Sequence, residues 1–261
     1  MKKTLTLLLG IAGALPARAQ DETVGVRLRE WYARVNGEVF AEAEGIAATT
    51  VDLDRHLGLG QAEVAHEIQV CLSLPLLGNF TAGYWYADYK SDRWLTETVT
   101  FGEETFSAST EVKSELELQV GYLSYEFVLP VPVPLGDVAD FEAGVVAGVR
   151  LVAASGSIEN EFVSADEHGE GGLPVVGAHA ALRVTPWLRA DVEILGLTFR
   201  AADRRAFYLE AYGEVVARLG PLFGGVGYKY VEVEIRDRSR STEFEAEAVL
   251  DGVYLTAGIR F

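Results

Sequence analysis

Apolar and polar residues alternate along much of this chain. Over positions 31–42 one face reads Trp31, Ala33, Val35, Gly37, Val39 and Ala41, and the other reads Tyr32, Arg34, Asn36, Glu38, Phe40 and Glu42. The same period of two recurs at 63–74 and at 188–199. Because successive side chains of a strand point to opposite faces of a sheet, the pattern predicts β-strands with two chemically different faces.

The alternation predicts ten strands. They lie near 31–43, 63–74, 78–90, 111–127, 141–154, 174–184, 188–199, 206–218, 222–235 and 244–261. Each is long enough for the about 9–11 residues that a tilted strand needs to cross a bilayer. Strand ends read from a sequence shift by several residues, so eight or twelve strands also fit the pattern.

The links between these strands alternate in length. Short, turn-rich links lie at 75–78, 185–187 and 219–221, and a proline-rich one runs over 130–140. Longer polar stretches lie near 44–62, 91–110, 155–173, 200–205 and 236–243. Transmembrane barrels show this asymmetry, with short periplasmic turns and longer outer loops.

The first nineteen residues have the features of a secretory signal peptide. Lys2 and Lys3 precede an apolar run from Leu5 to Leu15, and Ala17-Arg18-Ala19 forms an Ala-x-Ala exit. We therefore expect residues 1–19 to be removed and residues 20–261 to form the mature domain. Export would bring the chain into the periplasm, from which it could insert into a bacterial outer membrane.

A closed barrel is the fold that combines export with this alternation. The mature sequence has no continuous apolar stretch of about 18 residues, so it offers no transmembrane helix. Strands with one apolar face can cross a membrane only when they close on themselves. We predict an all-β protein, a single transmembrane antiparallel up-and-down β-barrel of the outer membrane. A soluble β-sandwich is the competing fold, because its strands alternate too.

Composition narrows the possible partners. The chain has 39 Asp+Glu against 22 Lys+Arg and a formal charge of −17. So acidic a protein is a poor candidate for nucleic acid, which attracts basic surfaces. The single cysteine, Cys71, allows no internal disulfide, and we interpret it as a small packing residue within a strand. No cysteine or histidine spacing suits zinc, and no cofactor is predicted.

The last strand has a recognisable pattern. Its apolar face would carry Val253, Leu255, Ala257, Ile259 and Phe261. With its terminal phenylalanine it resembles the C-terminal assembly signal of bacterial outer-membrane proteins. The resemblance implies that the barrel-assembly machinery reads this face. We also expect this strand to pair with the first one, because closure leaves no free edge.

The stretch Val51-Asp-Leu-Asp-Arg-His-Leu-Gly-Leu59 lies in the first long link. It resembles the D-L-x-x-D-L-G-L phrase of a broad group of largely uncharacterised proteobacterial outer-membrane barrel proteins, and Leu173-Pro-Val-Val-Gly177 also fits that group. Here His56 stands where an acidic residue is usual. The resemblance implies a fold and a location, and it implies no activity.

Many ionisable residues fall on faces that we predict to line the lumen, because a charge facing lipid is costly. The predicted lumen network is Arg34, Glu38, Arg150, His179, Arg183, Arg189, Asp191, Glu193, Glu214 and Lys229. Barrels of about eight strands are filled by side chains, whereas porins with about sixteen hold open channels. At ten strands we favour a charged, plugged lumen, with a narrow pore as the alternative.

Aromatic residues near the predicted strand ends are expected to form two belts at the membrane surfaces. Those toward the long links are Tyr84, Trp85, Tyr86, Tyr89, Phe207, Tyr208, Tyr228 and Tyr230. Those toward the short links are Trp31, Tyr122, Tyr125, Trp187, Phe223 and Phe261.

The loops offer some candidate chemistry. His56 lies beside Asp52 and Asp54, and His168 beside Asp166 and Glu167. An acid–histidine pair at the barrel mouth could activate water, so a hydrolase acting on lipid or peptide is a second alternative. Acidic loops could also hold divalent cations that bridge to lipopolysaccharide. We expect a monomer with a structural or surface-interaction role, whose partners are outer-membrane lipid, lipopolysaccharide and the assembly machinery.

Overall fold

The structure is a computed structural model that describes residues 24–42, 50–74, 77–101, 104–129, 133–134, 140–201, 204–239 and 242–261. The predicted signal peptide, residues 1–19, lies outside this part of the chain. No helix within the described ranges is long and apolar enough to cross a membrane.

Ten long strands form the wall of a closed barrel. They are β1 (Val24–Glu42), β2 (Glu63–Leu74), β3 (Gly78–Trp94), β4 (Glu111–Val128), β5 (Asp140–Glu159), β6 (Ser164–Thr185), β7 (Leu188–Ala201), β8 (Arg204–Leu219), β9 (Leu222–Ser239) and β10 (Thr242–Arg260). Each strand pairs antiparallel with the next, and β10 pairs with β1. The predicted ten-stranded up-and-down barrel is confirmed.

Four short strands accompany the ten strands of the barrel wall. Val51–Asp52 pairs with β1, and Val133–Pro134 pairs with β5. Val99–Phe101 pairs with Glu104–Phe106 as a separate small hairpin.

The seam between the first and last strands is continuous. Its register runs from Gly25 opposite Arg260 to Glu42 opposite Glu243. The backbone N–H of Phe261 donates to the carbonyl of Val24 at 2.9 Å. Toward the turn end each of the ten strands pairs with two neighbours, so this part of the wall has no free edge.

The two ends of the barrel differ. The turn end holds Val24, Phe261 and the strand termini Leu74, Gly78, Val128, Asp140, Thr185, Leu188, Leu219 and Leu222. The loop end holds the strand termini Glu42, Glu63, Trp94, Glu111, Glu159, Ser164, Ala201, Arg204, Ser239 and Thr242. Two expectations are wrong here. β1 begins at Val24, seven residues before its predicted start, and most of the predicted loop 155–173 is strand. Over residues 164–172 of β6 most side chains on both faces are polar or are glycines, so the apolar period vanishes while the backbone ladder continues.

An apolar belt covers the outside of the barrel toward the turn end. Its exposed side chains are Leu28, Ile68, Val70, Phe80, Leu123, Phe127, Val145, Leu151, Val176, Val184, Val192, Ile194, Val215, Leu222, Val226, Val253 and Leu255. So much exposed apolar surface would be unfavourable in water. Facing lipid tails it is the expected exterior of a transmembrane barrel.

Candidate functional site

The centre of the lumen holds a layer of buried charges. We call it the ionic layer, and it consists of Arg27, Arg29, Arg150, Lys229, Glu67, Glu210 and Glu214. They come from β1, β2, β5, β8 and β9, and they point inward because each lies on the opposite face from the apolar belt. All seven are at most 9% exposed.

Lys229 and Arg29 link opposite walls of the barrel through shared carboxylates. The Lys229 Nζ lies 3.3 Å from Glu67 and 3.2 Å from Glu210. The guanidinium of Arg29 lies 3.5 Å from Glu67 and 3.2 Å from Glu214. Every carboxylate of the layer therefore has a cation beside it, which offsets the large cost of removing charges from water.

Two further arginines complete the layer. Arg150 donates to Glu210 and to Ser124, both at 2.9 Å. Arg27 donates to Glu214 at 2.6 Å. Charge-assisted hydrogen bonds of this kind are stronger than those between neutral groups, so the layer holds its side chains in fixed positions.

Aromatic rings fill the space between these charges. Lys229 lies over the rings of Trp31 and Trp85, at 5.1 and 5.6 Å from their centroids. These two rings meet edge to face at 5.8 Å. Arg29 lies 4.7 Å from the ring centroid of Tyr212 and 4.9 Å from that of Tyr254. Cation–π contacts are strongest where water is excluded.

Tyrosine hydroxyls add hydrogen bonds to carboxylate oxygens that already lie beside an arginine. Tyr208 donates to Glu210 and Tyr254 donates to Glu214, each at 3.0 Å. Tyr122 donates to Glu67. The aromatic expectation is therefore wrong for several residues: Trp31, Trp85, Tyr89, Tyr208 and Phe223 are buried inside the barrel and are not parts of an outer belt.

A second polar cluster lies closer to the turn end. Nδ1 of His179 lies 2.6 Å from Glu126, and its Nε2 lies 3.2 Å from Asp191. Both ring nitrogens can donate at once only in the imidazolium form. Arg189 donates to Asp191 at 2.8 Å and lies 3.4 Å from Glu142. This cluster extends the charged filling of the lumen toward the turn end.

The loop end is filled by apolar side chains. Val51, Leu53, Leu57 and Leu59 are each at most 6% exposed and belong to one buried cluster with Trp31, Ala33, Val35 and Trp85. The same cluster also contains Leu95, Val99, Phe106, Val112 and Ile158. We call residues 50–62 the plug segment, because they close the loop end from inside.

Hydrogen bonds fix the shape of the plug segment. The Asp52 carboxylate accepts from the backbone N–H groups of Asp54 and Arg55, at 3.0 and 2.6 Å. The N–H of Asp52 donates to Nδ1 of His56 at 3.0 Å, so Nε2 carries the proton that bonds Glu97 at 2.6 Å. Arg93 donates to the Asp54 carbonyl at 2.7 Å. The D-L-x-x-x-L-G-L phrase thus builds a tight turn with buried leucines.

The predicted lumen residues divide into two groups. Arg150, His179, Asp191, Glu193, Glu214 and Lys229 lie on inward faces, and Arg183 and Arg189 lie near the turn-end mouth. Arg34 and Glu38 were wrongly placed, because both are exposed on the outside. Arg34 pairs with Asp251 at 3.1 Å on that outer surface. The apolar face of β1 is the inner one here, because the plug segment makes the loop-end lumen apolar.

The sequence prediction missed Arg27 and Arg29, because both precede the predicted start of β1. Val24, Val26 and Leu28 alternate with them, and this pattern would have extended β1 toward the turn end and corrected its inner face. Cys71 is half-buried and faces Thr81, whose hydroxyl lies 3.7 Å from the sulfur. Within the described residues, no group of three His, Cys, Asp or Glu side chains is arranged to hold a metal.

Several solved structures resemble this chain. The outer membrane protease OmpT of Escherichia coli has 9% identity and a TM-score of 0.49, over 93% of this chain and 98% of that one. The translocator domain of autotransporter NalP of Neisseria meningitidis has 11% identity and a TM-score of 0.41, over 99% and 95%. Ail, the attachment invasion locus protein of Yersinia pestis, has 9% identity and a TM-score of 0.31, over 92% and 99%.

No family model and no curated protein sequence matches the chain. The fold, a closed antiparallel barrel of ten strands, is shown by the strand pairing itself. Identities at this level say nothing of activity, and membership of the group with the D-L-x-x-x-L-G-L phrase stays a prediction.

Proposed function

We propose that the protein is an integral outer-membrane β-barrel with a closed lumen, and that it serves as a rigid scaffold for the acidic strands at its loop end. The observation that carries this proposal is the filling of the lumen at two levels. The ionic layer occupies its middle, and the plug segment occupies its loop end. A solute crossing the barrel would have to break both.

The proposed orientation follows from the two ends. The turn end faces the periplasm, because transmembrane barrels keep their short turns there. The loop end then faces the outside of the cell. Its outward charges, such as Arg34, Asp88, Glu115 and Asp251, begin where the apolar belt stops, as expected at a membrane surface.

The proposed partners follow from this placement. Lipid tails cover the apolar belt, and lipopolysaccharide surrounds the loop end, where divalent cations would link its phosphates to the acidic strands. The outward face of β10, with Val253, Leu255 and Phe261 exposed, is the surface we propose for recognition by the assembly machinery.

Two measurements test the proposal. First, fractionation of cells that express the full chain should recover it with the outer membrane, released by detergent only. Recovery with the soluble periplasmic contents would contradict the membrane assignment.

Second, the purified chain should give no conductance steps in planar bilayers, at voltages where an open porin inserted in the same way conducts. The contrast variant is Leu53→Ser/Leu57→Ser/Leu59→Ser, which opens the loop end while the ionic layer stays in place. We expect it to remain silent too. Stable steps in the unmodified protein would reject a closed lumen and favour the narrow pore.

A further inference from the structure

The wall of the barrel is incomplete between β6 and β7. Pairing between these strands begins at Val176 opposite Gly196 and runs to the turn end. β6 continues for twelve more residues toward the loop end, Ser164–Val175, paired with β5 alone. β7 likewise continues over Leu197–Ala201, paired with β8 alone. In the described part of the chain no strand fills this gap, so two strand edges diverge above the apolar belt.

The free edge of β6 is unusually open. Residues 166–172 are exposed on both faces, and a Cβ added at Gly169 or Gly171 would meet nothing within 4 Å. An exposed edge of this length is a template for pairing with another chain.

The hairpin between β5 and β6 shows which backbone groups are free. The N–H of Asn160 donates to the carbonyl of Val163 at 2.8 Å, which makes these two a hydrogen-bonded pair. Bonded pairs recur at every second residue of an antiparallel ladder. Asp166, His168, Glu170 and Gly172 therefore direct their N–H and C=O groups away from β5.

Pro174 agrees with this assignment. It belongs to the same alternate set, and proline, which has no N–H, is tolerated in a strand only where that side is unpaired. Two residues later Val176 begins the pairing with β7. The missing N–H thus lies where the two strands separate.

The charge of the edge defines what can pair with it. Asp166, Glu167 and Glu170 lie within five residues of one another on the exposed segment. A second copy of this chain, with a formal charge of −17, would bring the same acids against them. Like charges opposite one another destabilise a strand pair, and opposite charges stabilise it.

We propose that the Ser164–Leu173 edge of β6 is a strand-acceptor site for an extended, cationic polypeptide segment. The incoming backbone would bond Asp166, His168, Glu170 and Gly172, as in β-strand addition, and lysine or arginine side chains on one of its faces would lie beside Asp166 and Glu170. The proposed function places this edge outside the cell, but pairing itself needs neither that orientation nor a closed lumen.

The test uses the full chain folded in detergent micelles. The probe is a labelled ten-residue peptide of alternating lysine and threonine, and its control is the matching peptide of glutamate and threonine. Fluorescence anisotropy should show binding of the first peptide only. Hydrogen exchange of the same complex should show new protection at Asp166, His168, Glu170 and Gly172.

Backbone variants separate strand pairing from simple charge attraction. His168→Pro/Gly172→Pro removes two free donors and keeps every acid, and we expect about 25-fold weaker binding, about fivefold for each lost hydrogen bond. His168→Ala/Gly172→Ala keeps the donors and should bind within about twofold of the parent.

Equal binding by the proline and alanine variants would overturn the proposal, as would absence of binding or of new protection in the unmodified chain. If the proline variant does not fold, the hydrogen-exchange experiment on the unmodified chain still tests the proposed strand pairing. Each of these failures could occur in a barrel that gives no conductance in bilayers. The test of the strand-acceptor site on β6 is therefore independent of the test of the closed lumen.

Discussion

The middle and the loop end of the lumen are filled by opposite chemistries. In the middle, charges from strands that are not neighbours meet: Lys229 on β9 binds Glu67 on β2, 162 residues away in sequence. At the loop end, the leucines of the plug segment pack against apolar side chains of the wall. Charge pairs are directional and require particular partners, whereas apolar packing tolerates adjustment. The ionic layer therefore specifies which strands face one another, and the plug segment excludes water above it.

This difference predicts that a single substitution in the ionic layer lowers the free energy of unfolding more than a substitution elsewhere in the lumen. Lys229 is fully buried and neutralises two carboxylates, so Lys229→Met leaves Glu67 and Glu210 short of a cation. Loss of one partner of a buried pair destabilises by about 3–5 kcal/mol. We expect a loss of that size in the free energy of unfolding, measured by urea titration of the full chain in micelles.

A matched variant sharpens this test. Lys229→Met/Glu67→Gln removes one cation and one carboxylate together, and Arg29 keeps Glu214 while Arg150 keeps Glu210. We expect this double variant to regain at least half of the lost stability. If it is less stable than the single variant, the penalty does not come from buried unpaired charge, and our account of the layer is wrong.

A change in the plug segment should have a smaller effect. Leu57 is 4% exposed, and Leu57→Ala is expected to lower the free energy of unfolding by about 2–4 kcal/mol through lost burial and a residual cavity. Leu77→Ala is the control, because Leu77 is 60% exposed in a turn and should change stability little. Equal effects of the two substitutions would mean that the plug segment does not pack in solution as it does here.

The smallest effect is expected for an ion pair outside the barrel. Lys90 is exposed on the loop-end side of the apolar belt, beyond the membrane-spanning part of β3, and its hydrogen bonds to Glu115 and Asp88 raise its pKa above the usual value. A raised lysine pKa means that the pairing stabilises the fold at neutral pH and is lost as the pH rises through the folded-state pKa. Solvent screens this pair, so Lys90→Met should leave the urea midpoint at neutral pH unchanged. A clear shift in the urea midpoint of Lys90→Met would contradict the difference that we expect between ion pairs in the lumen and ion pairs on the surface.

The strands of the barrel wall could be predicted from the sequence more fully than the side-chain contacts that fill the lumen. β2 has the predicted bounds, and β7 and β9 begin where predicted, because alternation and turn residues are local signals. The inner face of β1 was predicted wrongly. A period of two separates two faces and does not say which is inside, and Trp31 and Val35 look like lipid-facing residues until the plug segment is placed against them.

The ionic layer shows a second limit of sequence reasoning. Lys229, Glu214 and Arg150 were predicted to face the lumen, but their partners depend on the register between distant strands. Nothing local in Arg29 indicates that it will lie between Glu67 and Glu214. The plug segment is a similar case, because its leucines follow no strand period and their burial depends on the space inside the closed wall.

The seam has a consequence for how the molecule forms. β1 bonds β10, so the first strand to be made must wait beside an open ladder until the last one is delivered. Such distant pairing slows folding, because a long loop has to close before any contact offsets its lost freedom. Until then the barrel is an open sheet whose two edge strands, β1 and β10, are unpaired on one side and can pair with other chains.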